Sequence, residues 1–515
     1  MFPSWSKRVL NARGVFILYG VYCLLNAIII RSVGPTLALD DVKLNIVTQS
    51  LQAGYLPGNP PLYEWLLIGA QQIAGPGLTA VLIVKYGLIW ASGAFGYFLA
   101  KELNHDRHWA ALSAFSMVLL YQFGWNAHQA FTHTLALIAA TLFFWWTVLR
   151  LFRVQRPQDY LLLGVALGVG LLSKYSFIGV AIIVAVCLLR RSESRARLLS
   201  PWLLASVAVA ALIALPHLNW LMAQNSAIVE ATTSRLQGDT APHWRRVLDG
   251  IPTAIWSIGA FFLPFALGLA VLLRGRARFL ADAHCNQTLA LLVMRDATVT
   301  GAIALLLGVI VIGVSSLQER YVIAFLLSGM FWVVGKWRNA TPEPANVKDM
   351  SRYIIGIAVF ALVILGVRII QTAVPGKPFC SSCRQWIPYE AVSDALIDQG
   401  FDGGTLIGYT DHTAGNLRRL FPEARVLSLH MPFYQPPHRS NSVTIEGQCF
   451  FIWSDELGPP EPQSIIEKLD PATIHTVIGE WHHPRRPVGW RKTEWKIVKI
   501  EMNHSPIRGL CRLGG

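Results

Sequence analysis

Charge is what this sequence has least of. Asp, Glu, Lys and Arg make up 14% of its 515 residues, whereas 53% are hydrophobic. A soluble domain carries about 25% charge, so a chain bathed in water along its whole length is excluded. Acidic residues are scarcer than basic ones, 30 against 44, for a formal net charge of +14. That excess does not mark a nucleic-acid partner, because the basic residues cluster at the ends of apolar runs and form no continuous basic face. Catalytic signatures are missing too: the sequence has no Walker lysine loop, Gly-rich dinucleotide turn, nucleophile elbow, HExxH or other Cys/His ligand set. Nucleotide, serine-hydrolase and zinc chemistry therefore have no footing, and neither a metal nor another cofactor is expected.

What the chain does have, up to about residue 373, is a series of apolar runs near twenty residues long. In hydrocarbon every backbone N–H and C=O must be paired within its own segment, so such runs are helices. Spans are expected near 14–30, 78–100, 109–124, 128–149, 159–172, 176–189, 200–219, 252–273, 297–314, 321–335 and 353–373. The expected fold class is mainly α, a polytopic membrane protein of about eleven transmembrane helices with a small C-terminal α/β domain.

Loop charge sets the sidedness. Alternate loops hold clusters such as Lys7, Arg8 and Arg13, or Arg190, Arg191, Arg195 and Arg197. The other set holds only scattered cations such as Lys43, Lys174 and Arg320. A roughly threefold excess assigns the first set, and the N-terminus, to the cytoplasm. An odd number of spans then leaves the tail outside. The first run also has the basic flank of a secretory signal, with small residues near Thr36 to Ala38; it is read here as a retained span.

Two domains are expected, 1–373 in the membrane and 374–515 outside it. The outer loops 31–77 and 220–251 are long, as active-site loops on a membrane scaffold must be. Within the first, Leu62 to Ile73 is too short to span and reads as an interfacial helix. In the tail, strand-length runs at Thr405–Tyr409, Arg425–Leu429 and Cys449–Trp453, with a helical stretch Ala414–Phe421, indicate an α/β unit. Cys380-Ser-Ser-Cys383 opens this region and reads as a local disulfide in an oxidising compartment. A thioredoxin-type redox motif would need a preceding strand and a following helix. Cys449 and Cys511 are candidates for a second bridge, whereas Cys23 and Cys187 read as apolar filler in helices.

The residues that carry chemistry lie on the outer side. Asp40 and Asp41 follow the first span, and two readings stand: an N-cap with an acidic first turn, or a partly shielded carboxylate whose raised pKa suits a general base. Lys174 in the turn Leu172-Ser173-Lys174-Tyr175 and Arg320 in Gln318-Glu319-Arg320-Tyr321 share that side. Lys85 lies about two turns into the second span, where an unpaired charge is expensive; snorkelling to the headgroups is the bland alternative. Together these cations suit a lipid-linked phosphate. Trp125 belongs to an aromatic belt, while His128 and His133, five residues apart, are poorly spaced for one metal. His482-His483 reads as a solvated loop pair.

Over about residues 10–373 the chain resembles the GT-C glycosyltransferases of the protein-mannosyltransferase-like type, which include bacterial aminoarabinose and galacturonic acid transferases of lipopolysaccharide. Leu39-Asp40-Asp41 is similar to the family's Asp-Glu motif, and Asn59-Pro60-Pro61-Leu62-Tyr63-Glu64-Trp65 to its Pro-Pro-Leu interfacial helix. Ser173-Lys174-Tyr175 resembles the Thr-Lys turn, Glu319-Arg320-Tyr321 the basic-Tyr motif, and Lys85 stands where many members have arginine. The tail resembles that of an alphaproteobacterial subgroup. The resemblance implies an inner-membrane enzyme that moves a sugar from a polyprenyl-phosphate donor to an acceptor hydroxyl on a glycan, lipid or protein. Asp40 would be the base with Asp41 as neighbour, and Lys174, Arg320 and Lys85 would hold the donor phosphate. His128, His133, Tyr63, Glu64 and Tyr321 are candidate substrate contacts. Asp41 replaces the usual Glu, Asn59 the lysine of aminoarabinose transferases, and His133 an aspartate, so the aminoarabinose donor is not assigned. A transporter or flippase of a lipid-linked sugar is the competing class, but it usually shows inverted repeats and broken helices near the midplane, whereas the candidates here gather at one face.

Overall fold

In the computed structural model the described residues are 8–55, 58–129, 131–223, 241–272, 288–340, 343–374, 383–432, 434, 436, 448–454, 462–481, 491–501, 509 and 511. Cys380, the His482-His483 pair and much of the loop 220–251 lie outside them. The helices, in order, are α1 (Ala12–Arg31), α2 (Asp40–Val47), α3 (Leu62–Ala74), α4 (Leu78–Asn104), α5 (Arg107–Ser116), α6 (Tyr121–Gly124), α7 (His133–Arg153), α8 (Pro157–Ser173), α9 (Ser176–Leu189), α10 (Ser192–Leu198), α11 (Trp202–Ala223), α12 (His243–Leu272), α13 (Leu289–Ile312), α14 (Glu319–Ala340) and α15 (Glu343–Ala373). After them come α16 (Tyr389–Asp398), β1 (Thr405–Gly408), α17 (Asp411–Leu420), β2 (Arg425–Ser428), β3 (Cys449–Ser454), α18 (Gln463–Ile466), β4 (His475–Glu480) and β5 (Lys492–Lys499).

Among the described residues seven helices are long and apolar enough to cross a membrane: α1, α4, α7, α11, α12, α13 and the stretch Asp349–Ala373 of α15. α8 and α9 are apolar but shorter. The expected span at 109–124 is not one helix. α5 ends at Ser116, a 3-10 turn follows at Met117–Leu119, and Leu120 is extended before α6 begins. The stretch as a whole is apolar enough for a span, so hydropathy could not show the break.

Two compact units divide the chain. The first comprises residues 1–24, 56–63 and 86–366. Its helices pack closely where side chains are small: a Cβ on Gly164 of α8 would lie 2.6 Å from the Ser206 carbonyl oxygen of α11, and one on Gly168 would lie 2.8 Å from Ile213 Cβ. Membrane helices associate through such small-residue contacts.

The second unit comprises residues 25–55, 64–85 and 367–515. Its sheet has the order β2-β1-β3-β5-β4. β1 pairs in parallel with β2 and β3, and β5 pairs antiparallel with β3 and β4. Parallel pairing of β1 with β2 needs a crossover, which α17 supplies. That helix begins three residues earlier than the sequence pattern suggests, because the Thr410 side chain accepts from the Thr413 N–H. All residues of β1, β2 and β3 are buried, as strands of a covered sheet must be. The core under the sheet gathers Ile407, Leu427, Phe451, Trp453 and Val498 around the Cys449–Cys511 disulfide. Cys383 is also disulfide-bonded, while Cys23 and Cys187 are free and buried.

Candidate active site

The acidic pair opens α2. Leu39, whose side chain has no acceptor, occupies the N-cap with φ 56°, and both aspartates fall in the first turn. They therefore favour the helix dipole without capping it. Their environments differ: Asp40 is exposed and Asp41 is buried. Asp41 Oδ2 lies 3.5 Å from Lys85 Nζ, itself 2% exposed. Asp41 Oδ1 has no hydrogen-bond partner among the described residues. Burial pushes the Asp41 carboxyl above its ordinary value; the Lys85 charge opposes the shift and Asp40 adds to it. The shielded carboxylate foreseen from the sequence is thus Asp41, and Lys85, expected at the donor phosphate, is ion-paired with it.

Amides anchor α2 within the second unit. The Leu37 N–H donates to Asn416 Oδ1 at 2.9 Å, and Asn416 Nδ2 donates back to the Leu37 carbonyl at 3.2 Å. Gln49 makes the same reciprocal pair with the Val426 backbone, both bonds at 2.8 Å, and so occupies part of the open edge of β2. Asn45 Nδ2 donates to the Gly415 carbonyl at 2.8 Å, and Gln71 Nε2 donates to Asn45 Oδ1 and Thr48 Oγ1. Gly415 is needed for this approach, since a Cβ there would lie 2.4 Å from the Val42 carbonyl oxygen. Lys43 and Asp411 form an ion pair at 3.7 Å. Nothing in the sequence signals that Asn45, Gln49, Gly415 and Asn416 meet one another or the backbone in this way. α3 forms as expected, with Glu64 fully buried and Trp65 Nε1 donating to the Gln52 carbonyl.

Within the first unit Lys174 and Arg320 converge on one ring. Lys174 caps α8, donates to Thr134 Oγ1 at 3.1 Å and has its Nζ 5.2 Å from the centre of the Tyr321 ring. The Arg320 guanidinium is 5.3 Å from the same centre. An aromatic face attracts cations through its quadrupole, which accounts for the shared ring. His133 opens α7, with its ring 5.6 Å from that of Tyr63 and Nδ1 3.3 Å from Thr132 Oγ1. His128 Nε2 is 3.1 Å from the Tyr22 hydroxyl, and its ring is 5.8 Å from that of Tyr86. Each histidine thus has its own aromatic partner. Among the described residues no group of three or more His, Cys, Asp or Glu is placed to hold a metal.

Spanning helices, a small mixed sheet and an acidic pair fixed beside a buried lysine define a multi-span membrane protein of the GT-C fold. Residues 58–220 match the dolichyl-phosphate-mannose-protein mannosyltransferase family, a match that supports glycosyltransferase activity. Two relatives from Rhizobium johnstonii are the lipopolysaccharide core galacturonosyltransferases RgtA and RgtB. The first is 27% identical over 454 residues, 87% of each chain. The second is 26% identical over 455 residues, 87% of this chain and 89% of the other. Among solved structures, ArnT from Cupriavidus metallidurans bound to undecaprenyl phosphate superposes with a TM-score of 0.60 at 12% identity, covering 93% of this chain and 97% of that one.

Proposed function

We propose that this glycosyltransferase moves a sugar from a polyprenyl-phosphate donor to an acceptor hydroxyl, with inversion, at the periplasmic face of a bacterial inner membrane. The two relatives favour galacturonic acid as the sugar and the lipopolysaccharide core as the acceptor. In this reading Asp40 takes the proton of the acceptor hydroxyl as that oxygen bonds to the anomeric carbon. The bond from that carbon to the phosphate oxygen breaks with its electron pair, and Lys174 and Arg320 stabilise the phosphate that departs. Lys85 holds Asp41, and the pair positions the start of α2. No metal is required by this chemistry.

The observation that carries the reading is the division of labour in the acidic pair: Asp41 is spent on Lys85, and Asp40 is left exposed at the same helix start. A positioned carboxylate base contributes about 100- to 10,000-fold. Membranes carrying Asp40→Asn are expected to lose sugar transfer by that order, and near-normal turnover would remove Asp40 from the role. Mass spectrometry of lipopolysaccharide and lipids from a deletion strain separates the classes. A missing sugar supports the transferase, whereas lipid-linked donor retained on the inner leaflet supports a flippase.

A further inference from the structure

We infer that the first unit carries a subsite for the sugar ring of the donor, walled by the amides of Gln122, Asn126, Gln129 and Gln318 beside Arg320; the inference rests on the transferase reading above. These side chains line a cavity of about 230 Å³, to which Phe131 adds an aromatic face and Glu319 a carboxylate. It is formed where the broken helix after α5 passes the start of α14.

The chemistry of the wall selects the ligand. A primary amide offers two donors and an acceptor, and four in one small cavity match a molecule that both donates and accepts around its rim. A polyprenyl tail gains nothing from them, and a bare phosphate, which only accepts, leaves the amide oxygens unused. A pyranose presents hydroxyls at its edge and C–H groups on its face, the second suited to Phe131. The volume is below the roughly 300–1,000 Å³ of sites for drug-sized ligands, which fits one ring.

Gln122 supplies an independent sign. Its side chain is fully buried, and Oε1 accepts from Asn126 Nδ2 at 2.9 Å, yet Nε2 has no partner among the described residues. Buried donors are nearly always satisfied, so this one is provided for by a ligand hydroxyl. Arg320 joins the cavity to the phosphate site: it lines the wall, and its guanidinium stacks on the Tyr321 ring that Lys174 also faces. A phosphate held there has its anomeric substituent beside the amides.

The test uses the full chain in lipid nanodiscs with a polyprenyl-phosphate galacturonic acid donor, and bare undecaprenyl phosphate as competitor. Gln122→Ala is expected to raise the donor KM about tenfold or more, as loss of one well-made hydrogen bond in a desolvated site does, and to leave inhibition by bare undecaprenyl phosphate unchanged. Gln318→Ala, at the end of a loop, is expected to do the same and guards against misfolding of the first variant. Equal weakening of donor and competitor would assign the cavity to the lipid phosphate, and unchanged values for both variants would leave it without a sugar; either overturns the inference while the transferase reading stands. A wild-type chain that turns over no polyprenyl-linked sugar overturns both.

Discussion

Lys85 Nζ and Asp41 Oδ2 lie 3.5 Å apart, the lysine reaching from α4 to the first turn of α2. Each charge is buried, and a buried charge that loses its partner is far more costly than one that never had to be paired.

Lys85→Met is therefore expected to destabilise the detergent-solubilised chain by about 3–5 kcal/mol, read as a fall in thermal midpoint. Adding Asp41→Asn should recover much of the loss. Since the lysine charge lowers the Asp41 carboxyl against the effect of burial, removing it raises that carboxyl further. The acidic limb of the activity profile should move to higher pH in Lys85→Met, and a limb that stays in place would disconnect this pair from turnover.

Gly415→Ala tests the anchoring of α2. The new methyl would meet the Val42 carbonyl, which is backbone and cannot rotate away. Overpacking of this kind costs about 1–3 kcal/mol, and the displaced helix carries the acidic pair. Turnover should fall with little change in donor KM, and unaltered kinetics in a stable variant would show that the helix needs no such contact.

The cations around Tyr321 make a separate prediction. Lys174→Ala should chiefly weaken donor handling, so KM for the polyprenyl-linked donor rises more than kcat falls. Tyr321→Leu removes the face that both cations share and should act in the same direction. An unchanged response to donor concentration in both variants would count against a phosphate site there.

His412 gives the second unit a pH response. Its Nδ1 is 2.7 Å from the Tyr389 hydroxyl, and burial, with Arg384 adding to it, pushes its pKa from 6.5 down to about 4. The unfolded chain binds a proton as pH falls below 6.5, whereas the folded chain resists until about 4. Stability present above 6.5 is thus lost through that window, by at most about 3 kcal/mol, and levels off below it. Thermal unfolding of His412→Gln should show a flatter dependence between pH 7.5 and 4.5 than the unaltered chain.

Hydropathy carried the membrane architecture, since a twenty-residue apolar run has few alternatives to a helix. It could not show the break at Leu120, where one extended residue redirects a largely apolar stretch. The strands at Thr405, Arg425 and Cys449 were legible from length and flanking turns, and the Cys449–Cys511 bridge from compartment alone. β4 and β5 were missed, although the alternating burial of β5 is written in its sequence. Residue type alone picked out Asp40, Asp41, Lys174 and Arg320 as candidates. Which aspartate is buried was not legible, because the answer depends on Lys85, far along the chain. The amides of Asn45, Gln49 and Asn416 were hidden for the same reason: each pairs with backbone, and backbone leaves no mark on a sequence.

The reciprocal bonds between Gln49 and Val426 join positions 377 residues apart in the chain. A ribosome releases the helix of the acidic pair long before the strand that secures it. A chain stopped between the two would carry both aspartates and still lack the scaffold that orients them, so the acidic pair is expected to reach its final setting only after β2 has been made.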